Sequence, residues 1–164
     1  MIKRCFSNLN QHNVELLYKT MIRSVLEYRS STWSPYYKKD KILLEIVQNR
    51  CLRLSKDKIT LPTLENRRIL YDLCEVFKYL KGYYKTGSGM FSYATRRLGG
   101  HQLKLLRPAA RSIPKYNFLS VRAVRYWNSL PENTIETPSL TTFKRKLSTL
   151  ILDDQKGNNN LLTN

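Results

Sequence analysis

The chain has 164 residues, 41% of them hydrophobic, which suffices for a modest core in one domain or two small ones. No apolar run is long enough to span a bilayer, and residues 1–6 are basic with no apolar region after them. A soluble intracellular protein is therefore expected, and 29 Lys and Arg against 12 Asp and Glu, a formal charge of +17, point to a polyanionic partner rather than a membrane.

From Asn13 onward, Val14, Leu17, Tyr18, Met21, Val25 and Tyr28 follow a helical period, widened by Ile22 and Leu26. The helix is predicted to end near Arg29, because Ser30, Ser31, Thr32 and Ser34 compete for backbone hydrogen bonds and Pro35 holds Ser34 extended. Residues 38–54 form a second amphipathic unit, with Asp40 at its start and Ile42, Leu43, Ile46, Val47, Cys51 and Leu54 along one side. Trp33, at the turn, is predicted to close this antiparallel pair as a core residue. A third helix is capped by Thr63, carries Ile69, Leu73, Val76, Phe77 and Leu80 as its stripe, and ends at Gly82.

Residues 83–101 read as loop, broken by Gly87, Ser88 and Gly89 and again by Gly99 and Gly100. Residues 102–106 alternate weakly and are expected to pair with residues 111–113 around Pro108 in a small β-hairpin. Phe118, Val121, Val124 and Trp127 recur at three-residue steps in a helix that stops before Leu130 and Pro131, with Arg122 and Arg125 on its flank. Thr137 is predicted to cap a last helix with Pro138 at its first position and Leu140, Phe143, Leu147, Leu150 and Ile151 inward. Trp127, Leu130 and Phe143 are assigned to the core between the two arms. The fold class is thus mainly α: helical hairpins over residues 1–82 and 117–152, a basic loop region or hairpin linker over 83–116, and a polar tail over 153–164 expected to be disordered.

Chemistry is sparse. Cys5, Cys51 and Cys74 are far apart and never in a Cys-x-x-Cys pair, so no disulfide framework or zinc site is expected, and Cys51 and Cys74 read as core. His12 and His101 belong to no motif and read as surface histidines, and Gly87-Ser88-Gly89 lacks the Lys-Ser or Lys-Thr of a phosphate loop. Asp153-Asp154 closes a predicted helix with no strand beside it and reads as a solvated pair at a frayed helix end rather than as metal-binding carboxylates. No catalytic residue, cofactor or metal ligand is therefore assigned.

The charge is unevenly spread. Residues 1–75 hold 14 basic and 8 acidic side chains, whereas residues 76–131 hold 11 basic side chains, no acidic one, and ten of the eighteen aromatics. A segment of one sign repels itself unless an anion lies close, so RNA, DNA or an RNA-DNA hybrid is the expected partner. Arg96, Arg97, Lys104, Arg107, Arg111, Lys115, Arg122 and Arg125 are the candidate phosphate contacts, and Tyr93 and Tyr116 are candidates for stacking on unpaired bases. Roughly five such contacts would give a salt slope of about −4.5.

Several blocks resemble one family. Leu17-Tyr18-Lys19, Leu26-Glu27-Tyr28, Trp33-Ser34-Pro35, Glu45 with Gln48, Leu64 with Arg67-Arg68, Asp72-Leu73 and Phe77-Lys78 occur in order. They are followed by Phe118, Arg122, Trp127-Asn128-Ser129-Leu130-Pro131 and Ser139-Leu140 with Phe143-Lys144. This series is similar to the thumb and post-thumb region of non-LTR retrotransposon reverse transcriptases, especially the jockey-like group, and covers most of the chain. The resemblance implies a fragment that grips the template-primer, an RNA-directed DNA polymerase as intact parent with magnesium in a separate palm, and residence in the nucleus. Only six residues, 55–60, stand where the family carries a longer connection with another short helix. The alternatives are a helical protein-interaction module and a remnant of the element without function.

Overall fold

The computed structural model describes residues 10–85, 89–95 and 101–155. These are mainly α-helical: α1 (Gln11–Leu17), α2 (Arg23–Leu26), α3 (Lys38–Leu52), α4 (Leu64–Leu80), α5 (Ile113–Tyr116), α6 (Leu119–Ser129), α7 (Glu132–Ile135) and α8 (Leu140–Gln155). A π-helical turn, Tyr18–Ile22, joins α1 to α2. Among the described residues no helix is long and apolar enough to cross a membrane.

Local sequence explains the ends of α4. Thr63 Oγ1 accepts from Asn66 N at 3.2 Å, and the Glu45 carboxylate of α3 accepts from Leu64 N at 2.6 Å and Glu65 N at 3.2 Å. Those amides have no partner inside the helix, and a negative charge suits that end of the macrodipole. At the other end Gly82 adopts φ +72°, with Gly82 N bonding Tyr79 O and Tyr83 N bonding Lys78 O. This is the Schellman closure that glycine permits. The last helix is capped by Ser139, whose Oγ accepts from Thr142 N at 3.2 Å, rather than by Thr137. Thr137 is buried and gives its hydroxyl to Thr134 O, because α7 interrupts what reads as a polar loop.

The N-terminal stripe is only partly covered. Val14 and Tyr18 are buried, and the Tyr18 hydroxyl bonds Gln48 of α3. Met21, Val25 and Tyr28 are exposed, Val25 by 71%. A π turn places about one extra residue in its turn, which rotates the succeeding helix by roughly 100° relative to an unbroken α-helix. Ile22 and Leu26 thus take the inward positions that Met21 and Val25 would have held. On α3 the correction is similar: Gln48, Cys51 and Leu52 are buried, whereas Ile42, Leu43, Ile46 and Val47 face outward. The short connection after α3 is ordered, with Leu54, Ile59 and Leu61 packed on Tyr18, Cys51 and Leu52.

Trp33 is not core; it is 41% exposed. Its Nε1 donates to Tyr28 O at 2.7 Å and its backbone N to Arg29 O, which folds the indole back over the turn instead of between the helices. The main core lies further on, where Ile69, Leu73, Val76 and Phe77 of α4 meet Val121, Ala123, Val124 and Trp127 of α6, Leu130, Ile135, and Phe143, Leu147 and Ile151 of α8. Phe77 stacks on Phe143 with centroids 4.4 Å apart, and Trp127 lies 6.0 Å from Phe143. Both C-terminal helices pack on α4, so a third helix shares the space expected between two arms. Phe118, at the N-cap of α6, is exposed.

Residues 101–106 are bound to this core by the Trp127-Asn128 pair. Trp127 Nε1 donates to Leu103 O at 2.9 Å. Asn128 accepts from Leu105 N and donates to Leu105 O, both at 2.9 Å. The opposite edge is taken by residues 92–94, through Ala94 N to Lys104 O and Leu106 N to Ser92 O, with Tyr93 bridged to Leu105. With both edges occupied, the expected pairing with residues 111–113 does not form, and Ile113 instead opens α5.

His101, expected on the surface, is buried at 5% exposure, edge-on to Trp127. Its Nε2 donates to Trp127 O at 3.2 Å, and Nδ1 is buried without a partner among the described residues. Burial holds its pKa below the ordinary value of 6.5, because the charged ring would lose its hydration. The unfolded chain therefore takes up the proton first as pH falls, and stability is lost from about pH 6.5 downward until the folded ring also titrates. In urea titrations between about pH 7.5 and 5.5, His101→Phe should show a flatter decline in unfolding free energy than the wild type, and equal slopes would contradict this.

Candidate functional site

Where α4, α5 and α6 meet the turn after α2, a cleft of about 370 Å³ opens to solvent. Ser34, Pro35 and Tyr36 form one wall, Glu65, Arg68, Ile69 and Asp72 of α4 the floor, and Arg107, Ile113, Tyr116, Arg122, Arg125 and Tyr126 the other side, with Lys41 at an edge. Its lining sets tyrosine rings among charged side chains, most of them basic.

Arg122 anchors the floor. Its Nε and Nη2 bind the two Asp72 oxygens at 2.7 and 2.8 Å. Nη1 donates to Asn117 O at 2.5 Å, and Nη2 also donates to Ser31 O at 2.9 Å and Ser30 O at 3.2 Å. Asp72 is buried, and burial pushes its carboxyl above the usual range although the guanidinium pulls it back. Arg122 thus ties α6, α4 and the turn after α2, and with Nε, Nη2 and one Nη1 N–H engaged inside the fold it has little left to offer the phosphate expected of it.

The other expected contacts divide. Arg107 and Arg125 are exposed in the cleft, each with its guanidinium 4.8 Å over a ring, Tyr116 and Tyr126 respectively. Tyr116 is 44% exposed, and its phenol is more acidic than usual because Arg107 donates to it and Arg125 adds to the positive field. Arg111 and Lys115 are exposed beside the cleft in sequence but do not line it. Lys104 is half-buried, its carbonyl bonded to Ala94 N. Tyr93 is exposed, away from the cleft lining. Arg96 and Arg97 lie outside the described residues, as does the tail after Gln155.

Arg68 was not singled out by charge patterning, although it belongs to the Arg67-Arg68 block. It is 5% exposed, lies 5.3 Å over Trp33, and donates from Nη2 to Leu26 O at 3.2 Å. Its Nε has no partner among the described residues, and burial lowers its pKa by disfavouring the charged form. Neighbouring Arg67 is engaged differently, with Glu27 and Tyr71. In the cleft, Lys41 pairs with Glu65 at 2.6 Å and Arg122 with Asp72. Arg68, Arg107 and Arg125 are left without an ion-pair partner among the described residues.

Among the described residues, no group of three or more His, Cys, Asp or Glu side chains is placed to hold a metal. No protein-family model matches the chain, and no curated protein or solved structure matches it either.

Removing one member of a buried ion pair strands the other, at a cost of about 3 to 5 kcal/mol. Asp72→Leu and Arg122→Met should each destabilise by that order in urea titrations, and the double variant by about as much as one alone. Additive losses would show that the pair is not coupled.

Proposed function

We propose that this chain is a nucleic-acid-binding segment from the C-terminal part of a non-LTR retrotransposon reverse transcriptase, gripping the template-primer while nucleotidyl transfer belongs to a palm elsewhere in the polymerase. The ligand on this reading is RNA, DNA or their hybrid, the setting is nuclear, and the chain alone incorporates no nucleotide. The single observation that carries it is the gathering of Arg68, Arg107 and Arg125, none of them in an ion pair among the described residues, at one tyrosine-lined cleft, with Arg107 and Arg125 drawn from a segment devoid of acids. Such side chains bind a polyanion by displacing its condensed counterions, which gives affinity with little sequence preference.

A second reading, a helical protein-interaction module, draws support from the uncovered apolar faces of α1 to α3, where Met21, Val25, Ile42, Leu43 and Ile46 meet solvent. A salt titration separates the two. With Arg122 committed to Asp72, the exposed Arg107, Arg111, Lys115 and Arg125 supply about four contacts, so log affinity for an RNA-DNA hybrid should fall against log salt with a slope of about −3.6. Raising salt about fourfold would then weaken binding about 150-fold. Arg107→Glu with Arg125→Glu should lower the slope by about 1.8, whereas Val25→Glu with Leu43→Glu should leave it unchanged. No binding at low salt, or binding indifferent to the arginine changes, would favour the interaction module.

A further inference from the structure

The same cleft has a shape and lining more selective than a basic surface requires. We infer that it holds one unpaired nucleotide at a single-stranded end of the bound nucleic acid, with the phosphate toward Arg68, Arg107 and Arg125 and the base against Tyr116. This rests on the nucleic-acid reading above and narrows it.

Size decides against a duplex. A cleft of about 370 Å³ is small beside a duplex, whose major groove alone is about 12 Å across. One nucleotide can enter, and the volume lies at the small end of ligand pockets.

Chemistry points the same way. Three tyrosine rings, Tyr36, Tyr116 and Tyr126, line the cleft with Arg68, Arg107 and Arg125, none of which is in an ion pair among the described residues. That pairing suits a ligand with a flat aromatic group joined to an oxyanion, and a nucleotide carries both. An acidic side chain would supply only the anion. Arg107 and Arg125 present planar donor forks at the surface, the geometry that grips phosphate oxygens two at a time. Arg68 adds a buried charge that donates to Leu26 O, keeps an unpartnered Nε and has carboxylates near it but none in an ion pair among the described residues, and an oxyanion in the cleft would offset more of its burial. Tyr116 retains exposed ring area although Arg107 covers one face, and base-on-aromatic stacking tolerates any base. The site is held rigid from behind: Asp72 fixes Arg122, Arg122 fixes Asn117, and Asn117 directly follows α5, which carries Tyr116.

The test compares a fluorescein-labelled DNA hairpin in two forms, blunt and with a short thymidine overhang at the 3′ or 5′ end, by anisotropy with the full chain. The overhung form should bind about tenfold tighter than the blunt one. Tyr116→Ala should abolish that preference, bringing the affinity for the overhung form down to that for the blunt one, and Tyr116→Phe should restore it. Arg111→Ala with Lys115→Ala should weaken both forms alike. Equal binding of the two forms by the wild type, or a preference that survives Tyr116→Ala, overturns the inference and leaves the broader reading standing. So does equally tight binding of a Glu-rich peptide. Binding to neither form overturns both.

Discussion

A carboxylate and a guanidinium withdrawn from water each lose several kcal/mol of hydration, and they recover it only when paired and fully hydrogen-bonded. Asp72 and Arg122 meet that condition, and much of the arrangement around the cleft depends on it. One guanidinium reaches the side chain of Asp72 on α4, the carbonyl of Asn117 ahead of α6, and the carbonyls of Ser30 and Ser31 in the turn after α2. Three pieces far apart in sequence are located by a single group. A second junction, with Glu27 accepting from Arg67 and Tyr71, fixes α2 to α4 from the other side. The cleft lies beside the first junction, with its floor set by the pair and its free charges around the rim.

Much of the fold was legible because helix periodicity reports apolar faces directly. The stripes of α4, α6 and α8 contain Phe77, Trp127 and Phe143, and these meet in one core. The same pattern misled on α1 to α3, since a stripe shows where apolar residues lie and not what covers them. The π turn and the outward Ile42, Leu43 and Ile46 leave no trace in composition. Four-residue helices such as α5 and α7 are too short to establish a period. The pairing of residues 92–94 with 104–106 depends on Asn128 occupying the other edge, a tertiary fact that local alternation does not carry.

The motif blocks were informative in a different sense. Glu27, Glu45, Gln48, Arg67, Asp72, Arg122, Trp127 and Asn128 belong to the blocks that carry the family resemblance, and each makes a polar bond between separate elements. Such groups are exacting in geometry and costly to leave unpaired, so they make the recognisable positions of a helical protein with a small core. That is why Arg122 reads as a ligand contact in the sequence: charge patterning alone cannot separate an arginine spent on the fold from one available to a ligand. Arg107 and Arg125 are instead exposed, each over a tyrosine ring, with no carboxylate within ion-pair reach among the described residues.

This separation of spent from available arginines is the central claim, and arginine side-chain NMR tests it most directly. During titration with a single-stranded oligonucleotide at low salt, the Nε–Hε signals of Arg107 and Arg125 should shift progressively. The signal of Arg122 should exchange slowly with solvent and stay in place. A shift at Arg122 with Arg107 and Arg125 unmoved would contradict the account.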